Sequence, residues 1–234
     1  MEALFRSSGS FAEKRLTGLI MTELYLNILD KKRKEILPIL KKFKDRFYLA
    51  GGTGLALQLG HRDSIDFDYF TDKDFNSEDL LREVKELFGD YTVELVQAGN
   101  KTLNIVVEGS IKISFFCIRE RRLKPLLDSD YFYIADLDDI ACMKITALLR
   151  AEFKDYVDLY YIFKQKTLKE VLDNCKMKYD GFDEIVYLKA LVSFEDIHFT
   201  EMLFERGKQI KLKEIKKDFD KKVKEYLDYK IKEK

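Results

Sequence analysis

The sequence predicts an α+β fold: a mixed sheet with flanking helices over residues 30–124 and a helical domain over residues 125–234, with residues 1–29 as a peripheral segment. Three observations predict it. Between Phe47 and Ile118, short apolar or alternating runs recur between glycine and polar turns, as strands do. After Pro125 apolar residues recur instead at helical spacing behind capping residues. Over all 234 residues, 46% are apolar and 13% aromatic with only 2 Pro, which supplies a sizeable core and excludes a disordered or fibrous chain.

Taken in order, Ile36, Leu37, Ile39, Leu40 and Phe43 predict one helix from Asp30 to Lys44. Phe47 to Ala50 reads as a strand ended by Gly51 and Gly52, and Thr53 opens a helix that Gly60 closes. Ile65 to Phe70 alternates apolar and acidic residues like a strand. Asn76 or Ser77 caps a helix ending at Gly89, and three strands follow at 93–96, 103–107 and 111–118, the last two joined as a hairpin at Gly109 and Ser110. Beyond the boundary near Lys124, one helix is expected from Asp138 or Asp139 towards Phe163. Thr167 and Glu170 form a capping box for the next, and Asp183 starts another. Leu212, Ile215, Phe219, Val223 and Leu227 form the apolar stripe of a tail helix that docks on the body. The Tyr and Phe stripes read as core.

The 42 basic and 42 acidic residues cancel, so there is no global field to mark nucleic-acid or membrane binding. Local segregation remains. Residues 31–46 carry +6, residues 61–90 carry −6, and the tail from Lys208 carries +5, a pattern that fits solvated helix faces and also a cation site facing a polyanion. No apolar run reaches the ~20 residues that cross a bilayer, and Leu16 to Leu29 makes a poor signal peptide because it contains Glu23. A cytoplasmic protein is expected. Cys117, Cys142 and Cys175 are widely spaced and read as buried free thiols. His61 and His198 stand apart, which disfavours a histidine-centred site; His61 beside Arg62 fits phosphate contact or packing alike. Arg119, Arg121, Arg122 and Lys124 form a basic cluster that fits a solvated loop or an RNA backbone contact.

Chemistry concentrates in Ala50-Gly51-Gly52-Thr53 followed by Asp66-Phe67-Asp68. A Gly-Gly turn lets backbone approach a ligand closely, and the helix it opens aims free N–H groups at an anion such as phosphate. Thr53 adds a hydroxyl. On a strand, Asp66 and Asp68 point to one face while Phe67 points to the other, and paired hard oxygen ligands suit Mg²⁺ or Mn²⁺. A phosphate cradle beside a carboxylate pair outlines metal-dependent phosphoryl or nucleotidyl transfer.

Residues 48–71, YLAGGTGLALQLGHRDSIDFDYFT, resemble the signature of the AbiEii/AbiGii toxin family of nucleotidyltransferases in the DNA polymerase β-like superfamily. Residues 134–163, IADLDDIACMKITALLRAEFKDYVDLYYIF, resemble that family's helical motif, and the likeness covers roughly residues 30–195. The resemblance implies a nucleotidyltransferase fold with a helical C-terminal domain, nucleoside triphosphate and Mg²⁺ as ligands, RNA such as tRNA as an acceptor, and a toxin with a cognate antitoxin in a type IV toxin-antitoxin or phage-defence system. By position, Gly51, Gly52 and Thr53 match its phosphate turn and Asp66 and Asp68 its metal pair; Lys144, Asp155 and Asp158 fall on the second motif. In this reading Lys144 offsets phosphate charge and Asp155 orients the acceptor. At 100° per residue, 144, 151, 155 and 158 share one face of a straight helix, within about 60°, and Arg150 points elsewhere unless the chain breaks near Glu152. On the residues alone, both aspartates also fit an ion pair and Lys144 a solvated lysine.

One departure stands out. Such enzymes place a third carboxylate on a later strand, where IKISFFCI has Ser114; Glu94 and Glu108 are the candidate substitutes, and recruitment of Asp155 is the other route to a third acid. The alternative to catalysis is therefore a weak or inactive nucleotide-binding or partner-binding module of the same fold.

Overall fold

Alternation along residues 66–71 sets the architecture, because it gives one strand two faces of opposite chemistry. The structure, a computed structural model, describes residues 24–205 and 207–233, together with the backbone of two three-residue strands, β1 (Lys14–Leu16) and β2 (Leu19–Met21). The expected peripheral segment, residues 1–29, falls largely outside the described residues.

Next come α1 (Lys31–Glu35) and α2 (Leu37–Leu40), continued by a 3₁₀ turn at Lys41–Phe43. The single helix expected over 30–44 is thus broken, at Ile36, because Pro38 has no N–H to bond the preceding turn. The chain continues as β3 (Tyr48–Ala50), α3 (Gly51–Leu59), β4 (Asp66–Thr71) and α4 (Ser77–Phe88). A meander of β5 (Val93–Gly99), β6 (Thr102–Val107) and β7 (Ile111–Cys117) follows. Two short strands, β8 (Leu127–Asp128) and β9 (Tyr133–Ile134), rejoin the sheet beyond Lys124, where only helices were expected; two-residue strands leave no periodicity to read.

The nine strands of the described residues lie in the order β1-β2-β8-β9-β3-β4-β7-β6-β5. At the centre, β4 runs antiparallel to β3 and parallel to β7. One face of the sheet buries Phe67, Tyr69, Ile113 and Phe115 against the first helices and α4, every one of them fully enclosed. The other face meets the helical half and carries the carboxylates.

That half comprises α5 (Leu137–Ala147), α6 (Phe153–Ile162), α7 (Leu168–Lys178), α8 (Glu184–Val192) and α9 (Leu212–Lys232). The helix expected over 138–163 is two helices, because a 3₁₀ turn at Leu148–Arg150 ends with Ala151 at φ +52°. The Thr167–Glu170 capping box forms as expected. The tail helix docks through Ile215, Phe219, Val223 and Tyr226; Leu227, expected in the stripe, is exposed because the i+3 position is the one that faces the body. Cys142 and Cys175 are buried thiols, whereas Cys117 is only half-buried. None of the described helices is long and apolar enough to cross a membrane.

Candidate active site

The Gly-Gly turn and the carboxylate pair meet at one point. Gly51 lies at φ +65°, and a Cβ built on it would stand 2.7 Å from Asp68 Oδ2, so both its conformation and its neighbour require glycine. A Cβ on Gly52 would stand 2.9 Å from Arg62 Nη2. From this turn α3 begins without a side-chain cap, leaving its first N–H groups as an anion-binding end. Thr53 is buried, and its hydroxyl bonds the Asp66 carbonyl and the Ser64 hydroxyl. It braces the turn against β4 through that hydroxyl.

Asp66 and Asp68 project from β4 into a cleft of about 800 Å³ between the sheet and the helical half, which Gly51, Gly52, Lys144 and Arg150 also line. Asp66 Oδ1 is buried without a hydrogen-bond partner among the described residues. Burial, and secondarily the charge of Asp66, raise the Asp68 carboxyl above its ordinary range, although Lys144, Lys154 and Arg150 oppose the shift. A divalent cation fits this pair, since it would satisfy the orphaned oxygen and relieve the like-charge repulsion.

The third-acid position is settled by register. Ser114 on β7 lies directly across from Asp68. Glu94 shares a row with Asp66 only through Lys112 and Val106, about 14 Å away at ordinary strand spacing. Glu108 sits in the β6–β7 turn, where it accepts from the Thr92 N–H at 2.7 Å. Neither expected substitute reaches the pair, and among the described residues no group of three or more potential metal ligands forms.

Lys144, Asp155 and Asp158 do come together, but across the break between α5 and α6 and not along one straight helix. Lys144 Nζ lies 2.7 Å from Asp155 Oδ1 and 2.6 Å from Asp158 Oδ2, and Arg150 Nη2 donates to Asp155 Oδ2 at 2.8 Å. Arg150 therefore joins the cluster, because the 3₁₀ turn redirects it. Arg62 grips Asp158 in a two-pronged bond, 2.7 Å from Nε and 2.8 Å from Nη2, and His61 Nε2 lies 2.7 Å from the same carboxylate. Both aspartates are wholly buried. Burial is the largest influence on Asp158 and pushes its carboxyl up. Arg62 and Lys144, with hydrogen bonds from His61 and Arg62, outweigh it and hold the group well below the usual carboxylate range. Burial pushes the His61 imidazole below its ordinary value, so neutral His61 donates from Nε2. Asp155 has both oxygens in ion pairs, one with Lys144 and one with Arg150.

A pattern-matching model of the family described as nucleotidyl transferase AbiEii toxin, type IV TA system, matches residues 39–230. The chain belongs to the AbiEii family. A relative in Aquifex aeolicus (strain VF5), aq_aa25, is 38% identical over 189 residues, which span 78% of this AbiEii protein and 88% of that one. Two solved Helicobacter pylori structures share the fold with a TM-score of 0.53 each. One, described as a candidate nucleotidyltransferase, is 17% identical and covered over 95% of its length; the other, JHP933, is 18% identical and covered over 92%, each against 84% of this chain.

Further cleft-lining residues of the AbiEii protein carried no sequence signal. Lys112 and Lys154 make no ion pair among the described residues. Thr200 to Met202 belong to a segment strapped at one end to Asp63, whose carboxylate accepts from the Leu203 N–H at 2.8 Å, and at the other to Ala151 and Phe153 through His198. Phe70 and Phe116, expected in the core, line the cleft as well.

Proposed function

We propose that this AbiEii protein transfers a nucleotide from a nucleoside triphosphate to a hydroxyl of RNA, tRNA being the leading acceptor, in a reaction that depends on Mg²⁺ or Mn²⁺. The observation that carries the reading is the placement of Asp68 Oδ2 2.7 Å from where a Cβ on Gly51 would stand, which sets a glycine turn at a helix start beside a carboxylate pair. Asp66 and Asp68 would hold the cation, which when bound supplies Lewis-acid charge at the phosphoryl group.

The chain's own residues do the rest. The uncapped end of α3 binds the β- and γ-phosphates, and its dipole stabilises the pyrophosphate that leaves. Lys112, Lys154 and Arg150 offset charge in the cleft, while Lys144 is held in place by Asp155 and Asp158. Arg62, fixed by Asp158, stands behind Gly52 and keeps the turn in shape. The acceptor hydroxyl attacks the α-phosphorus, the α–β bridging P–O bond opposite it breaks to release pyrophosphate, and the hydroxyl proton passes to water; in-line placement supplies much of the rate.

Incubation with labelled nucleoside triphosphates and cellular RNA tests this. Label is expected on RNA with the wild type and not with Asp66→Ala; equal labelling by both rejects the reading. As a toxin, the wild type is expected to slow growth when expressed, with Asp68→Ala and co-expression of the cognate antitoxin each relieving it. A second reading, nucleotide binding without turnover, is favoured by Ser114 at the third-acid position. Tight Mg²⁺-nucleotide binding in calorimetry with no transfer to any acceptor would support it.

A further inference from the structure

With the cleft read as a nucleoside triphosphate site, we infer that the ring of Phe116, backed from the core side by the buried ring of Phe70, is the shelf on which the base of the donor nucleotide stacks. On β4, Asp66, Asp68 and Phe70 occupy alternate positions and share one face. Phe116 lies directly across from Phe70 on β7, and the two rings stack with centroids 5.4 Å apart and planes 30° from parallel. Both line the same cleft as the carboxylates. Phe116 is only half-buried although it sits mid-sheet, so part of its ring faces the opening.

Spacing assigns the shelf to the base. Two residues along a strand advance about 6.7 Å, so the rings begin one such step beyond Asp68, on the side away from Asp66. A triphosphate gripped at the Gly51 end, with its α-phosphorus over the carboxylates, extends its ribose along that step and delivers the base to the ring of Phe116. Among the described residues the other end of the cleft offers no ring: Asp63, Ser64 and Thr200 to Met202 wall it. Met143 and Tyr179, from the helical half, supply further apolar surface to the cleft. An aromatic face without hydrogen-bonding groups takes any base by its π surface, so it contributes affinity without selecting one base by pattern.

Calorimetry on the full chain with Mg²⁺ tests this, with ATP and inorganic tripolyphosphate as paired probes. Phe116→Ala is expected to weaken ATP binding at least tenfold and tripolyphosphate binding less than twofold, while Phe116→Tyr stays within threefold of the wild type for both. Unchanged ATP affinity in Phe116→Ala overturns the assignment, and so does an equal loss for the two probes, which would mark general damage to the cleft. A wild type that binds tripolyphosphate as tightly as ATP overturns it too. A wild type that binds neither probe removes the triphosphate reading itself and the shelf with it, a result distinct from the others.

Discussion

Asp68 Oδ2 occupies the space that a side chain at position 51 would need, 2.7 Å from where a Cβ on Gly51 would stand. Binding turn and metal-binding candidate are therefore sterically linked, and position 51 is also held at φ +65°. Gly51→Ala is expected to lower stability by about 1–3 kcal/mol from the strained backbone and to abolish nucleotide binding by displacing Asp68. Gly99→Ala, where a Cβ meets nothing within 4 Å, serves as the neutral control. Thermal melting with nucleotide titration checks both.

Asp158 ties Arg62, Lys144 and His61 together out of water. Asp158→Asn leaves two buried cations short of a partner and is expected to destabilise the fold by about 3–5 kcal/mol, read by urea unfolding at pH 7. The sign with pH follows from its lowered carboxyl. The unfolded carboxyl titrates near ~3.9; above that value the stabilisation is fully present, and it is lost as pH falls towards the lower folded value. The wild type should lose stability more steeply than Asp158→Asn below about pH 4.

His61 gives a second window. Its folded value lies below the unfolded ~6.5, so the unfolded chain takes up a proton first, and stability falls as pH drops from about 6.5 towards the folded value. His61→Gln should flatten stability below about pH 6.5 in the same urea series.

Much of the sheet and of the site could be read from local patterns. Gly51-Gly52, the alternation over 66–71 and the hairpin at 109–110 each state their structure within a few residues. The ion-pair cluster could not be read that way. Arg62 and Asp158 are 96 positions apart, and the helix break that unites Lys144 with Asp155 falls at Ala151, a residue type that favours helix, so that the family resemblance, and no local pattern, points to a break near Glu152. The engaged hydroxyl of Thr53 was equally hidden, because Ser64, its partner, carries no periodic signal.

The cation should be visible as stability. Asp68 has a raised folded carboxyl value, so stability falls as pH rises from ~3.9 through that value, and its charge opposes folding at neutral pH. Added Mg²⁺ at a hundredfold excess over its Kd is expected to stabilise the wild type by about 2.7 kcal/mol, reversed by EDTA. Asp68→Asn should match or exceed the melting temperature of the metal-free wild type, show no Mg²⁺ shift, and lose transfer activity. A Mg²⁺ shift of the same size in Asp68→Asn would place the cation elsewhere.

Ser114 faces Asp68 across one strand spacing, about 4.8 Å, which makes Ser114→Asp a direct trial of the missing third acid. The next strand prepares for it: Asn104 lies across from Ser114, donates to Gln97 Oε1 at 3.0 Å, and leaves its own Oδ1 buried without a partner among the described residues. A reversed Asn104 amide would present N–H to a new carboxylate. Without metal the variant gathers three acids and should melt below the wild type, since Asp68 already suffers from one like-charged neighbour. With Mg²⁺ the order should reverse, and transfer should speed up at least tenfold in single-turnover labelling if the lost ligand limits the step that activates the acceptor hydroxyl. Tighter Mg²⁺ binding with no gain in rate would mean that Ser114 is not what limits transfer, and would turn attention to how the acceptor is held.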